Sequence, residues 1–250
     1  MLVTRDLTIR FGGHVAVDHV SCTFEPGTLT AIVGPNGAGK TTYFNLVSGQ
    51  LRATEGSVHL DGVDITREPA SARTHRGLGR AFQLTQLFPN LTVVENVRLA
   101  VQSRRHEGLN LWSVWLDHRN TLERAHARVE RVRLADRADV HASSLPHGDQ
   151  RKLEVAMLMA LEPKVYMFDE PTAGMSVDDV PVILDLVRDL KQQKDKTILL
   201  VEHKMDVVRE LADRIVVLHN GQLVADGDPA TVIASPVVQN AYLGLTPEAA

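Results

Sequence analysis

Four residues at fixed spacing carry the most chemistry in this chain: Gly34, Gly39, Lys40 and Thr41, in the order G-x-x-x-x-G-K-[ST]. They lie within LTAIVGPNGAGKTTYFNLVSGQ, residues 29 to 50, where an apolar, β-branched run from Leu29 to Val33 breaks at Gly34. The pattern predicts a strand, a tight turn and a helix that starts near Lys40 and stops near Gly49. That is the context a phosphate-binding loop requires. Glycines let the backbone curl so that its N–H groups converge on phosphate oxygens. The helix points its positive dipole end at the same anions. Lys40 supplies a full charge for the outer phosphates, and the Thr41 hydroxyl can join a Mg²⁺ shell. The bland alternative is a glycine turn before a helix, and the flanking elements argue against it. The residues expected to hold a nucleotide are Gly34, Pro35, Asn36, Gly37, Ala38, Gly39, Lys40, Thr41 and Thr42.

A second cluster lies far along the chain. VYMFDEP reads as an apolar strand ending in Asp169-Glu170, and TILLVEH as another ending in Glu202-His203. An aspartate at such a strand end can hold Mg²⁺ opposite Thr41, which is the Walker B pattern. Glu170 is placed to polarise an attacking water, a role worth roughly 10²–10⁴ in rate. Alone, the acidic pair reads as a turn before Pro171; the phosphate loop upstream changes that reading.

The elements that must position these groups follow from periodicity. Strands alternating with helical stretches (about 150 to 162, 178 to 193 and 204 to 212) predict a parallel sheet with crossover helices. Ligand groups then gather at the carboxyl ends of the strands. Leu7, Ile9 and Phe11 alternate with Thr8 and Arg10, as in a half-buried strand. Gly12-Gly13 makes a turn, and HVAVDHVSCTFEPG supplies a strand pair ending at Pro26-Gly27. Phe11 reads equally as a core aromatic or as a platform for a base. Asp61-Gly62 and Asn220-Gly221 are hairpin signals. Residues from Pro69 to Gly79 are polar and basic. Thr92 and Glu95 form a capping box that opens a helix.

Residues 95 to 137 change character. Leu122, Ala125, Val129 and Val132 recur at helical spacing, and arginine is dense. Two readings stand: a solvated helix face, or a basic surface toward anionic lipid or a partner. LNLWSVWL, with Trp112 and Trp115, fits a small helical core or a membrane interface equally well. The segment reads as a helical subdomain of about residues 85 to 155, inserted between core segments 1 to 84 and 156 to 250.

With 250 residues and 23% charged residues, the chain has an ordinary globular composition. Its net charge of −4 argues against a general attraction to nucleic acid. The single cysteine, Cys22, precludes an internal disulfide and fits a reducing compartment. The first residues look like a strand and not a signal peptide. The longest apolar run, Val155 to Leu161, is far too short to span a bilayer. Work at a membrane would go through a partner.

These motifs, in this order, resemble the ATP-binding cassette ATPases over nearly the whole chain. The resemblance implies an α/β fold: a phosphate-loop NTPase core with a parallel sheet, an N-terminal antiparallel β-subdomain and an inserted helical subdomain. It implies ATP and Mg²⁺ as cofactors. Phe11 is similar to the aromatic that stacks on adenine. Gln83 matches the glutamine that touches Mg²⁺ and the lytic water. Thr41, Gln83 and Asp169 would then be metal-side residues, and Glu170 and His203 the catalytic base and switch histidine. Leu145, Pro146, His147, Gly148, Asp149 and Gln150 stand where the family signature, usually LSGGQ, faces the ATP of a second subunit. Pro146 and His147 replace the usual Ser-Gly, and Ser176 stands where the downstream loop usually has Asp. These departures imply an asymmetric heterodimer, which equal single-turnover hydrolysis at both sites would exclude.

Within the family, NLVSGQLRATEGSVHLDGVDIT, LVEHKMDVV and VVQNAYLG resemble ATPase subunits of bacterial importers for branched-chain or other hydrophobic amino acids. The implied partners are a second ATPase subunit (in a homo- or heterodimer), two membrane permease subunits and a periplasmic solute-binding protein. The implied location is the cytoplasmic face of the inner membrane. The alternatives are a soluble cassette ATPase and a nucleotide switch, neither coupled to transport. A GTPase is disfavoured, because no N-K-x-D segment occurs.

Overall fold

The protein is described from a computed structural model covering residues 1–81, 87–105 and 118–243. Trp112 and Trp115 lie outside the described residues. The chain divides into two compact units: Met1–Leu78 with Lys164–Glu170 and Lys191–Ala250, and Gly79–Pro163 with Pro171–Leu190.

The first unit carries two sheets. Strands β1 (Leu2–Phe11), β2 (His14–Phe24), β4 (Glu55–Leu60) and β5 (Val63–Asp64) form an antiparallel sheet in the order β2-β1-β4-β5. The predicted strand pair between His14 and Gly27 is a single eleven-residue strand. His19 absorbs its irregularity with a φ of 49°. Strand β1 does not alternate cleanly. Its register against β2 shifts between Leu7 and Ile9, so Thr8 is buried beside them. The Thr8 hydroxyl compensates by donating to the Asp6 carbonyl and accepting from the His19 N–H. Both hairpin signals hold: Asp61-Gly62 joins β4 to β5, and Asn220-Gly221 joins β9 (Arg214–His219) to β10 (Gln222–Gly227). All four turn residues have positive φ, as that turn demands.

The second sheet runs β10-β9-β3-β8-β7 within this unit, with β3 at Leu29–Val33, β7 at Val165–Asp169 and β8 at Thr197–Val201. Strands β3, β7, β8 and β9 are parallel, and β10 is antiparallel to β9. Every residue of β3, β7 and β8 is buried. On β3, Ile32 joins one apolar cluster and Ala31 and Val33 join another. A strand packed on both faces needs an uninterrupted apolar run, which explains why these segments lack a period-two pattern. One cluster also takes Tyr43, Phe44, Leu46 and Val47 of α1 (Lys40–Ser48). The other takes Val208 of α7 (Met205–Leu211), Val232 of α8 (Pro229–Ala234) and Val238 of α9 (Pro236–Leu243). Burying each large side chain of α1 contributes about 1.5–3 kcal/mol, enough to offset a strained loop before it. Helix α2 (Ala70–His75) and the start of β6 (Leu78–Ala81) close the unit's first stretch.

The second unit is helical: α3 (Val93–Arg105), α4 (His118–Arg131), α5 (His147–Leu161) and most of α6 (Val180–Lys191). Helix α3 opens with the expected capping box. The Thr92 N–H donates to Glu95 Oε2 at 2.8 Å, and the Glu95 N–H donates to the Thr92 hydroxyl at 3.3 Å. The buried stripe of α4 is Thr121, Ala125 and Val129, continued by Val132 just past its end. Leu122 was expected in that stripe but is 41 % exposed. It sits one residue, about 100° of helix, away from the line that Thr121 occupies.

Candidate functional site: a phosphate cleft at the strand ends

The loop between β3 and α1 curls as its glycines allow. Gly34 has φ 151°, and a Cβ there would stand 2.1 Å from the Leu218 carbonyl oxygen. Only glycine lets the backbone pass this close. Lys40 opens α1 and is buried, with its ammonium donating to the carbonyls of Gly34 at 2.6 Å and Pro35 at 2.9 Å. Burial pushes its pKa below the ordinary lysine value, against the fields of Glu170 and Asp169. No acidic residue sits in the first turn of α1, so its N-terminal potential stays positive.

Sheet register brings the distant acids here. Ile32 pairs with Val201, and Val201 pairs with Asp169, so three parallel strands end nearly level. At about 4.8 Å per strand, Asp169 lies roughly 10 Å across from the end of β3. Its carboxylate is fully buried. Glu170 follows in the left-handed region, φ 48°, and its N–H donates to the Val201 carbonyl at 2.9 Å. A non-glycine residue held there costs about 1–3 kcal/mol, a strain that recurs at functional sites. The Oε1 of Glu170 lies 2.6 Å from Nε2 of His203.

These groups share one cleft of about 430 Å³, lined by Phe11, His14, Ala16, residues 36 to 42, Glu170 and His203. Phe11 is 51 % exposed, which excludes the core reading of that aromatic. The cleft has a cationic floor, a water-reachable carboxylate–imidazole pair at one wall and an exposed aromatic. It can grip a phosphate chain and deliver a base to its end. The donor set also suits a hard divalent ion: the Thr41 hydroxyl lines the cleft, and the buried Asp169 carboxylate acts on the same Lys40. No cluster of three or more His, Cys, Asp or Glu able to hold a metal occurs among the described residues. Gln83 lies outside the described residues.

Sequence reasoning missed two kinds of group here. His14 and Ala16 face the cleft because Phe11 pairs with His14 across the Gly12-Gly13 turn. That hairpin register was the available signal. Glu202 is buried, and its carboxylate accepts from the backbone N–H of His203 at 2.9 Å and of Lys204 at 3.3 Å. It fixes the turn that presents His203.

The second unit holds the other expected site residues at the start of α5. Leu145 is buried, Pro146 is the N-cap, and His147 is exposed. The Gln150 side chain donates to the Leu145 carbonyl at 3.0 Å. Asp149 is buried and accepts from both Arg137 and Lys152. Lys152 also pairs with Asp179, which in turn accepts from the Ser176 hydroxyl at 2.8 Å. Burial opposes the Lys152 charge, but bonds to Asp179 and Asp149 outweigh it and hold the pKa above the ordinary value. The Lys152 and Ser176 bonds hold Asp179 below the usual carboxylate range.

Comparison with known proteins agrees with this geometry. Residues 17–173 match the ABC transporter family model. The chain is 36% identical over 249 residues to LivG of Escherichia coli, a high-affinity branched-chain amino acid transport ATP-binding protein, with 98% of each chain covered. It is 37% identical over 251 residues to BraF of Pseudomonas aeruginosa, which has the same description, again with 98% of each covered. Among solved structures, the ADP conformation of an ATP-binding cassette of an ABC transporter superposes with a TM-score of 0.81 at 30% identity, covering 98% of both chains. A nucleotide-free cassette from an ABC transporter gives the same TM-score at 29% identity, covering 97% of this chain and 98% of the other. The chain belongs to the ABC transporter family, as one of its nucleotide-binding ATPase cassettes on the α/β phosphate-loop fold.

Proposed function

We propose that this chain binds Mg²⁺-ATP in the cleft at residues 34 to 42 and hydrolyses it to drive import of branched-chain or other hydrophobic amino acids. The observation that carries the catalytic part is the 2.6 Å pair between Glu170 and His203, at the wall of the same cleft as Lys40. Phe11 stacks on the base, and the loop N–H groups and Lys40 hold the phosphates. Glu170 accepts a proton from the attacking water, and His203 orients that carboxylate and reaches toward the outer phosphate. Thr41 and Asp169 would hold Mg²⁺, and the family resemblance alone adds Gln83 to them; when bound, the ion neutralises charge on the outer phosphates.

The relatives' names support the transport part of the reading. It implies a second cassette subunit, identical or not, which meets the α5 start (Leu145 to Gln150). It also implies two permease subunits and a periplasmic binding protein. Among the described residues no helix is long and apolar enough to cross a membrane, so the chain would attach to the inner membrane's cytoplasmic face through the permeases. The test is Glu170→Gln. Single-turnover hydrolysis should fall by about 10²–10⁴ while ATP binding persists. Undiminished turnover would remove Glu170 from the mechanism.

A further inference from the structure

Arg73, on α2, is only 2 % exposed, and nothing above uses it. Its Nη1 donates to the carbonyls of Leu46 at 2.8 Å and Val47 at 2.7 Å, in the last turn of α1. Its Nε donates to the Glu68 carbonyl at 3.0 Å, and Nη2 to the Thr66 carbonyl at 2.8 Å. All four acceptors are backbone oxygens. The Glu68 carboxylate bonds to Arg76 instead. Gly49, the C-cap of α1, makes room for the guanidinium: a Cβ there would stand 2.8 Å from Nε. Burial works against the Arg73 charge, while the fields of Glu68 and Asp64 favour it.

Closing the helix does not require a cation. Backbone bonds already satisfy two of its last carbonyls, Gly49 N–H to Leu46 and Gln50 N–H to Asn45, and the bond Arg73 gives Val47 could come from a neutral donor. A buried guanidinium with only carbonyl partners is an expensive addition. What it adds is a positive charge at the negative end of the α1 dipole. The helix has nine residues, about 13.5 Å, and its other end is the phosphate loop at Lys40. A short rigid helix fixed at one end holds the other in place.

We propose that Arg73 is a positioning residue for the nucleotide's phosphates: it neutralises the carbonyl end of α1 and locks the helix along its axis, so that the N–H groups at Lys40 and Thr41 meet the phosphates with full positive potential. This rests on the nucleotide-binding reading of the loop. The test is calorimetric binding of ADP and Mg²⁺-ATP to folded wild-type, Arg73→Lys and Arg73→Met proteins, with adenosine followed by ligand-observed NMR. Arg73→Met should weaken both nucleotides by about fivefold or more. Arg73→Lys, which keeps the charge but not the planar fork, should recover part of that loss. Adenosine, which carries no phosphate, should bind all three alike. Wild-type affinity in both folded variants overturns the proposal, as does an equal loss for adenosine. Should Arg73→Met fail to fold, Arg73→Lys decides by its nucleotide-to-adenosine ratio. Failure of wild type itself to bind ADP would instead overturn the nucleotide reading.

Discussion

Two helix starts in this protein, those of α1 and α5, are prepared in opposite ways. At the start of α1, in the first unit, the Lys40 ammonium is held, among the described residues, by two loop carbonyls, groups that a phosphate can replace. At the start of α5, in the second unit, Asp149 and Lys152 are committed to charged partners, Arg137 and Asp179, that no ligand would readily displace. The first end leaves its charge on exchangeable partners and the second ties its charges to one another. Charge at a helix start therefore does not by itself mark a binding site; what matters is whether its partners are exchangeable.

Substitutions can test that contrast. The largest effect should come from Lys152→Met, which takes one of two cationic partners from Asp149 and the paired ammonium from Asp179. Breaking a buried pair from one side costs about 3 kcal/mol at the low end, and with Asp179 28 % exposed and Arg137 still on Asp149 that figure is the ceiling here. Thermal or urea unfolding should register this, with nucleotide affinity in the folded protein unchanged. The pH dependence follows from Asp179. Its folded pKa is depressed below 3.8, so its contribution is present above that pH and is lost as pH falls through the folded value. The gap between Lys152→Met and wild type should begin to narrow as pH falls through about 3.8 and go on narrowing until the folded value is passed. A gap that stays constant into that range would mean Asp179 is not the partner that matters.

Next comes Lys40→Met, with the reverse signature. ATP affinity should drop about tenfold to hundredfold, or about 1.4–2.7 kcal/mol, with unfolding almost unmoved. A variant equally weakened in both assays would erase the distinction drawn here. The smallest effect is at Thr92→Ala. Losing the capping box of α3 should cost about 1 kcal/mol of stability and leave nucleotide binding as it was. A stability change much below that would mean the Thr92–Glu95 bonds are replaced by water.

The same contrast explains what could be read from the chain. The phosphate loop was legible because residues 34 to 42 are contiguous and their φ values are set locally by glycine. The hairpins and the capping box were legible for the same reason. Glu170 and His203 could be ranked but not paired, since the 2.6 Å contact depends on sheet order across 33 residues. Arg73 was hidden in a stretch that reads as merely polar and basic, because the carbonyls that justify its burial belong to the far end of α1. Thr8 and Leu122 were misread for a related reason. A strand bulge and a rotation of one helix position are tertiary choices, and a simple period does not encode them.

The level ending of β3, β8 and β7 has a practical corollary for anyone editing this gene. Deleting a single codon between Val165 and Phe168 would draw Glu170 into the slot that Asp169 now fills and turn alternate side chains of that strand to the opposite face. The ledge would still look intact, yet a glutamate would stand in the fully buried position that the Asp169 carboxylate now holds.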